Sequence, residues 1–159
     1  MIDSKPPRID DLDRRLVALV QADSSLPYAE LGRHVGLSVS AVNERVRKLE
    51  RAGIIRSYSA LVDPKAIGLD LCAFVRVTFA RTGDESTFRE RVLARDEIME
   101  CHHVAGDDGY LLKVRTPDTA ALETLIGELL QGMSGAVHTQ TGIVFSTVKE
   151  TGALPATAI

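Results

Sequence analysis

No apolar run in the 159-residue sequence approaches the roughly 18 to 20 residues that cross a bilayer. The opening MIDSKPPRIDDLD places no apolar core behind its charges, so no secretory signal is expected and the chain reads as cytoplasmic. Cysteine is scarce too. Cys72 and Cys101 lie far apart, without CxxC or CxxxxH spacing, which excludes a disulfide framework and a zinc ribbon and leaves two reduced thiols in strands. What is present is a globular composition: 45% hydrophobic residues are enough for one medium core or two small ones.

Positive charge is also in deficit, with a net charge of −3, but the deficit is uneven. Residues 1–60 carry ten Lys+Arg against eight Asp+Glu, a balance of +2, and residues 61–159 carry nine against fourteen, a balance of −5. Between Arg33 and Arg56, the bases Arg33, Arg45, Arg47, Lys48, Arg51 and Arg56 face only Glu44 and Glu50. A basic segment joined to an acidic remainder implies a division of labour between two parts of the chain.

The periodicity divides the chain in the same way. Residues 1–9, with Pro6 and Pro7, form a tail. Asp10 or Asp11 caps a helix whose Leu12, Leu16, Leu19 and Val20 form one apolar stripe, ending near Asp23. A second short helix starts at Pro27 and buries Tyr28, Leu31 and Val35, and Gly36 stops it. Gly36-Leu37-Ser38 is a tight turn, and Ser38 caps a third helix with Val42, Val46 and Leu49 inward, ending at Gly53. Residues 54–62 read as extended, and Asp63-Pro64 and Gly68 punctuate a linker.

From Leu71 the period becomes two, with Leu71, Ala73, Val75, Val77 and Phe79 on one side. A helix at about 84–95 follows, then strands at 98–104 and 110–115 around a turn at 106–109, a helix capped near Asp118, and a last strand over 137–148. Strand-helix-strand-strand-helix-strand is the ferredoxin-like βαββαβ order, an antiparallel sheet with helices on one face. Phe74, Phe79, Val144 and Phe145 place apolar surface on both sides of these strands, so the open face or edge is expected to pair with a second copy. The fold class is therefore α+β: a helix-turn-helix domain, winged-helix-like, over residues 10–54, a hinge strand and linker over 55–70, and a ferredoxin-like domain over 71–159.

In a helix-turn-helix the second helix of the motif enters the major groove. Opposite the Val42/Val46/Leu49 stripe, the third helix carries Ser40, Glu44, Arg47 and Arg51, flanked by Asn43 and Lys48. Asn43 has the bidentate geometry for adenine and Arg47 for guanine. Ser38 and Ser40 can hold phosphates at the helix N-terminus, Lys48 and Arg51 can neutralise the backbone, and Glu44 can accept from cytosine or repel wrong sites. A solvated face laced with i,i+4 ion pairs is the competing account of such a helix. The glycine turn, the two preceding short helices and the concentration of bases together favour double-stranded DNA as partner.

Beyond these features, the chain resembles the Lrp/AsnC, or feast/famine, family of regulators from about Leu12 to Pro155. The resemblance rests on LDRRLVALVQADSSLPYAELGRHVGLSVSAVNERVRKLERAGII, SYSALVDPKAIG, IMECHHVAGDDGYLLKV and TQTGIVFSTVKET. It implies a homodimer assembling to octamers or similar rings, with an amino-acid effector bound between dimers. Carried over position by position, it nominates Gly106, Asp107, Asp108 and Tyr110 in the loop and Thr139 and Thr141 on the last strand as effector contacts. The family loop carries an acid immediately before the tyrosine; here that position is Gly109 and the acid stands at Asp108. The residue that takes the ligand ammonium, and with it the identity of the effector, is left open by this departure.

Cys101-His102-His103 suggests a metal, but adjacent strand residues point to opposite faces, so the two histidines cannot chelate one ion. Neither metal nor cofactor is expected. Two other functions compete. Haem-pathway decarboxylases resemble the same family in both domains and could exploit His102 or His103, and a sensing module could dispense with DNA. Retention of the basic helix face disfavours both, so the expectation is a transcriptional regulator and not an enzyme.

Overall fold

The structure, a computed structural model, describes residues 9–79, 85–105, 109–133 and 137–156. The chain forms two compact units, Met1–Ala60 with Lys149–Ile159, and Leu61–Val148.

The first unit is built on three helices. Helix α1 (Asp11–Ala22) starts in a capping box: the Asp13 backbone N–H donates to Asp10 Oδ1 at 2.7 Å, and the Asp10 N–H donates to Asp13 Oδ2 at 3.3 Å. Helix α2 (Tyr28–Val35) follows Pro27 and ends at Gly36, whose φ of 72° is the left-handed conformation a glycine adopts without strain. Helix α3 (Val39–Arg51) is capped by Ser38, whose hydroxyl accepts the Ala41 N–H at 3.3 Å. Leu16, Leu31, Val35, Val42 and Val46 make the core, and Leu12, Leu19, Val20, Leu26, Leu37 and Ile55 close around it. Tyr28, expected inside, lies half-exposed at the first position of α2, and the buried face of that helix is Leu31, Gly32 and Val35. After α3 the expected hinge strand is not paired into a sheet; a single 3-10 turn, Lys65–Ile67, interrupts the linker.

The second unit contains β1 (Leu71–Phe79), α4 (Glu85–Leu93), β2 (Ile98–Val104), β3 (Gly109–Thr116), α5 (Thr119–Leu130) and β4 (Val137–Ile143). The strands form one antiparallel sheet in the order β2-β3-β1-β4, the ferredoxin-like arrangement read from the sequence. On its covered face Ala73, Val75, Val77, Tyr110, Leu112 and Val114 pack against Phe88 and Val92 of α4 and Leu122, Leu125 and Leu129 of α5. Arg91 of α4 fastens the two helices together, its Nη1 donating to the carbonyls of Leu129 at 3.0 Å and Gln131 at 2.7 Å where α5 ends.

The alternation of β1 is as expected, but β4 stops at Ile143 and not at residue 148. Ile143 is already opposite Ala73, near the start of β1; the Val144 N–H makes one more bond to the Cys72 carbonyl at 2.9 Å, and the partner strand then runs out. Beyond it Phe145 and Val148 are fully exposed.

Candidate nucleic-acid interface and effector segment

Helix α3 separates two faces by chemistry. Val42, Val46 and Leu49 are at most 1% exposed, while Ser40, Glu44, Arg47, Lys48 and Arg51 lie in solvent and Asn43 is half-buried. Among the described residues, Asn43, Glu44, Arg47 and Arg51 form no side-chain hydrogen bond or ion pair with the protein, so the i,i+4 ion-pair account does not describe this helix. Ser38 is engaged as the cap, and its hydroxyl lies 3.1 Å from that of Ser40. Glu50 accepts a hydrogen bond from the Tyr58 hydroxyl at 2.8 Å; desolvation and that carboxylate push the phenol up to about 12. Of the two acids in the basic segment, Glu44 alone is therefore on the solvent face without a partner in the chain.

Three members of the basic segment are engaged within the unit, the first being Arg33, whose Nη2 lies 2.8 Å from Glu30 Oε1. Arg45 Nη1 donates to Asp10 Oδ2 and to Asp13 Oδ1, each at 2.7 Å, and Lys48 Nζ stands 3.7 Å from Asp13 Oδ2. The Asp10 carboxyl is held below its ordinary 3.8 by the Asp13 backbone N–H and then by Arg45, and the bonds to Asp10 and Asp13 raise the Arg45 guanidinium in turn.

Gly32 is a contributor that the apolar pattern did not single out. It sits in the middle of α2, where glycine is a poor helix former, and a Cβ there would lie 2.5 Å from the Leu37 carbonyl oxygen. The absence of that Cβ lets the turn close onto α2, with the Leu37 N–H donating to the Gly32 carbonyl at 2.9 Å. A glycine inside an otherwise helical pattern is the available sequence signal for such an approach.

In the second unit, Gly106, Asp107 and Asp108 lie outside the described residues. Tyr110, just after them, is 4% exposed and sits over α4: Arg89 Nε donates to its hydroxyl at 2.9 Å, and that hydroxyl donates to Glu85 Oε2 at 3.2 Å. His103 stacks on the ring with centroids 5.0 Å apart. Thr139 and Thr141 pair with Val77 and Val75, which places them on the helix-covered side of the sheet at its β4 edge. Thr141 lines a shallow apolar cavity of about 280 Å³ with Thr119, Leu122, Glu123, Ile126 and Ile143. Thr139 is not among the lining residues.

The opposite sheet face carries Phe74, 42% exposed, beside a polar row in which Glu100 accepts from Lys113 at 3.2 Å and lies 3.3 Å from His102 Nε2. The two histidines thus occupy opposite faces. Burial holds the Cys101 thiol above its ordinary 9.0. No group of three or more metal-ligating side chains occurs among the described residues.

A helix-turn-helix with an unengaged polar face on its second helix, in one chain with a ferredoxin-like domain, defines a DNA-binding regulator with an attached second domain. Residues 9–50 match the AsnC-type helix-turn-helix domain and residues 72–154 the Lrp/AsnC ligand binding domain. The chain belongs to the Lrp/AsnC family of transcriptional regulators. It is similar to the leucine-responsive regulatory protein of Escherichia coli strain K12, with 40% identity over 159 residues covering 97% of each chain. Among solved structures it is similar to a transcriptional regulator from Neisseria meningitidis in complex with L-Met, with a TM-score of 0.86, 31% identity, and 93% and 97% of the two chains covered. A feast or famine regulatory protein from M. tuberculosis complexed with L-methionine gives a TM-score of 0.82 and 36% identity, with 90% and 96% covered. No described helix is long and apolar enough to cross a membrane.

Proposed function

We propose that α3 lies in the major groove of DNA and that its solvent face reads sequence there. Asn43 and Arg47 contact base edges; Ser38 and Ser40 hold phosphate at the helix start; Lys48 and Arg51 neutralise the backbone; Glu44 discriminates among bases. The observation that carries this reading is the set Asn43, Glu44, Arg47 and Arg51, unengaged within the chain and set opposite a fully buried apolar stripe. A duplex selected by the chain from a random-sequence library, then titrated at several salt concentrations, tests it. Arg47→Ala weakens that duplex by about 1–3 kcal/mol and relaxes one base position, while Lys48→Ala weakens all duplexes evenly and flattens the salt dependence by up to about one phosphate. Unchanged binding in both variants refutes the assignment.

Residues 10–54 act as the reading domain, 55–70 as hinge and linker, and 71–159 as an effector and assembly domain that responds to an amino acid. The methionine in the crystals of the two relatives supports that ligand class. Gly106, Asp107, Asp108, Tyr110, Thr139 and Thr141 form the pocket, Tyr110 contributing its ring, since its hydroxyl is taken by Arg89 and Glu85. Dimers form through the open sheet face bearing Phe74, assemble into octamers or similar rings, and work in the cytoplasm without catalysing a reaction. A thermal-shift screen of the twenty amino acids, repeated by sedimentation, identifies the effector as the one that raises Tm and changes assembly. Asp108→Ala abolishes that response and leaves basal DNA binding intact; an equal response in the variant places the pocket elsewhere.

A further inference from the structure

Among the described residues, Asp13 is the one carboxylate with no solvent exposure, and its partners are Asp10, the cap of α1, and Arg45 and Lys48 of α3. Arg45 reaches it from α3, 32 residues later in the chain, and through the same nitrogen grips Asp10. Lys48, one turn further along α3, stands over the other carboxylate oxygen. The result is a neutral clasp of two acids and two bases joining α1 to α3, and its arginine side chain is only 28% exposed.

At ~100° of rotation per residue, Arg45 lies about 160° round α3 from Arg47 and Lys48 lies between them on one flank. Arg45 therefore grips the helix beside the apolar stripe and well away from Arg47, with Lys48 on the flank of the reading face. A buried carboxylate held at 2.7 Å by an arginine nitrogen that also grips Asp10 resists rotation of α3 on α1 in a way that aliphatic packing alone does not. Any rotation that displaced Arg45 would sweep Arg47 and Asn43 through the same angle. The clasp also removes charge from solution, since Arg45 is held by two acids of the same unit and Lys48 faces one of them.

We infer that Asp13 is a positioning residue for DNA reading: through Arg45 it sets the rotation of α3 on α1 and keeps that cation from gripping phosphate indiscriminately, while Lys48, 58% exposed at 3.7 Å from Asp13, stays available to the backbone. This rests on the assignment of α3 as the reading helix. Specificity is the difference between two affinities, and the clasp acts on both terms, raising the specific one through alignment and lowering the non-specific one through neutralisation.

The full-length chain tests this with two probes, a duplex selected by wild type from a random library and an alternating inosine–cytosine duplex, each titrated over a range of salt. Asp13→Asn reduces the affinity ratio between the probes about tenfold, and the salt dependence for the alternating duplex steepens by about one phosphate as the freed Arg45 joins it. Loss of folded protein alone would weaken both probes together and leave the slope unchanged, and that result overturns the inference. Arg45→Gln serves where Asp13→Asn fails to fold, because Lys48 still faces Asp13. It lowers the ratio while the salt dependence stays as in wild type. A slope that falls by about one phosphate would make Arg45 a DNA contact and overturn the inference. A wild-type chain that discriminates no duplex refutes the reading of α3 itself, and this inference with it. Discrimination by wild type that both variants retain refutes the clasp alone.

Discussion

Gly32→Ala sets two effects of opposite sign against each other. In an open helix interior the exchange stabilises by about 1 kcal/mol, through helix propensity and a less disordered unfolded chain. At Gly32 the added Cβ falls 2.5 Å from the Leu37 carbonyl oxygen and 3.6 Å from Val42 Cγ2. The first is a backbone atom in the turn between α2 and α3, so it cannot rotate aside, and the turn must move off α2 by several tenths of an ångström. Forcing a methyl group into a packed site costs about 1–3 kcal/mol, and a backbone obstacle belongs at the upper end of that range. The net expectation is a loss of about 1–2 kcal/mol, or a Tm lower by about 5–15 °C for a unit of this size. Far-UV circular dichroism of the full chain over a temperature ramp measures it. Gly36 is the control, since nothing lies within 4 Å of its Cβ position and its φ of +72° is the sole obstacle. Gly36→Asn is therefore tolerated better than Gly36→Ala, because asparagine accepts left-handed backbone, whereas Gly32→Asn is no better than Gly32→Ala. A Tm that rises with Gly32→Ala would mean propensity wins and that the close approach does not shape the turn.

The acid limb of stability tests the α1 cap. The folded-state pKa of Asp10 lies below its ordinary 3.8, so its contribution is complete above about pH 4 and is lost as pH falls through the folded value. Asp10→Ala accordingly lowers Tm at pH 7, by an amount corresponding to about 0.5–2 kcal/mol, and the gap to wild type narrows as pH falls toward 2. A gap independent of pH would remove the charge from the account. In the second unit Phe88 is fully buried, with Phe79 at 5.3 Å and Tyr110 at 5.0 Å between ring centroids. Phe88→Ala destabilises by about 3–5 kcal/mol in chemical denaturation, and a loss under 1 kcal/mol would show that this cluster is not the core.

The elements that were legible in advance are those whose apolar period is unbroken. The stripe of α3 and the alternation of β1 each specify a buried face, and Val42, Val46, Val75 and Val77 are all at most 1% exposed. Tyr28 fitted the stripe of α2 but stands on its first turn, where the small three-helix core does not reach it. The end of β4 was misplaced because alternation continues in the sequence beyond residue 143, whereas a strand ends where its partner does.

The candidate DNA face followed from counting bases opposite the stripe, but counting could not separate the bases that are free from those that are held. Arg45 and Lys48 differ from Arg47 and Arg51 only through Asp10 and Asp13, more than 30 residues away, a pairing that appears once α1 packs on α3. The effector segment was nominated by resemblance alone. A loop of glycine and aspartate has no period, and what the fold adds nearby is Tyr110, turned inward and held by α4.

The central claim, that Arg47 of α3 reads a guanine, is tested most directly by a cycle that removes each partner in turn. Duplexes selected by the chain are resynthesised with 7-deazaguanine at one guanine at a time, deleting the N7 acceptor, and titrated with wild type and with Arg47→Ala. The account predicts one guanine whose modification weakens wild type about tenfold and leaves Arg47→Ala unaffected. Equal losses for both proteins at every guanine would contradict it.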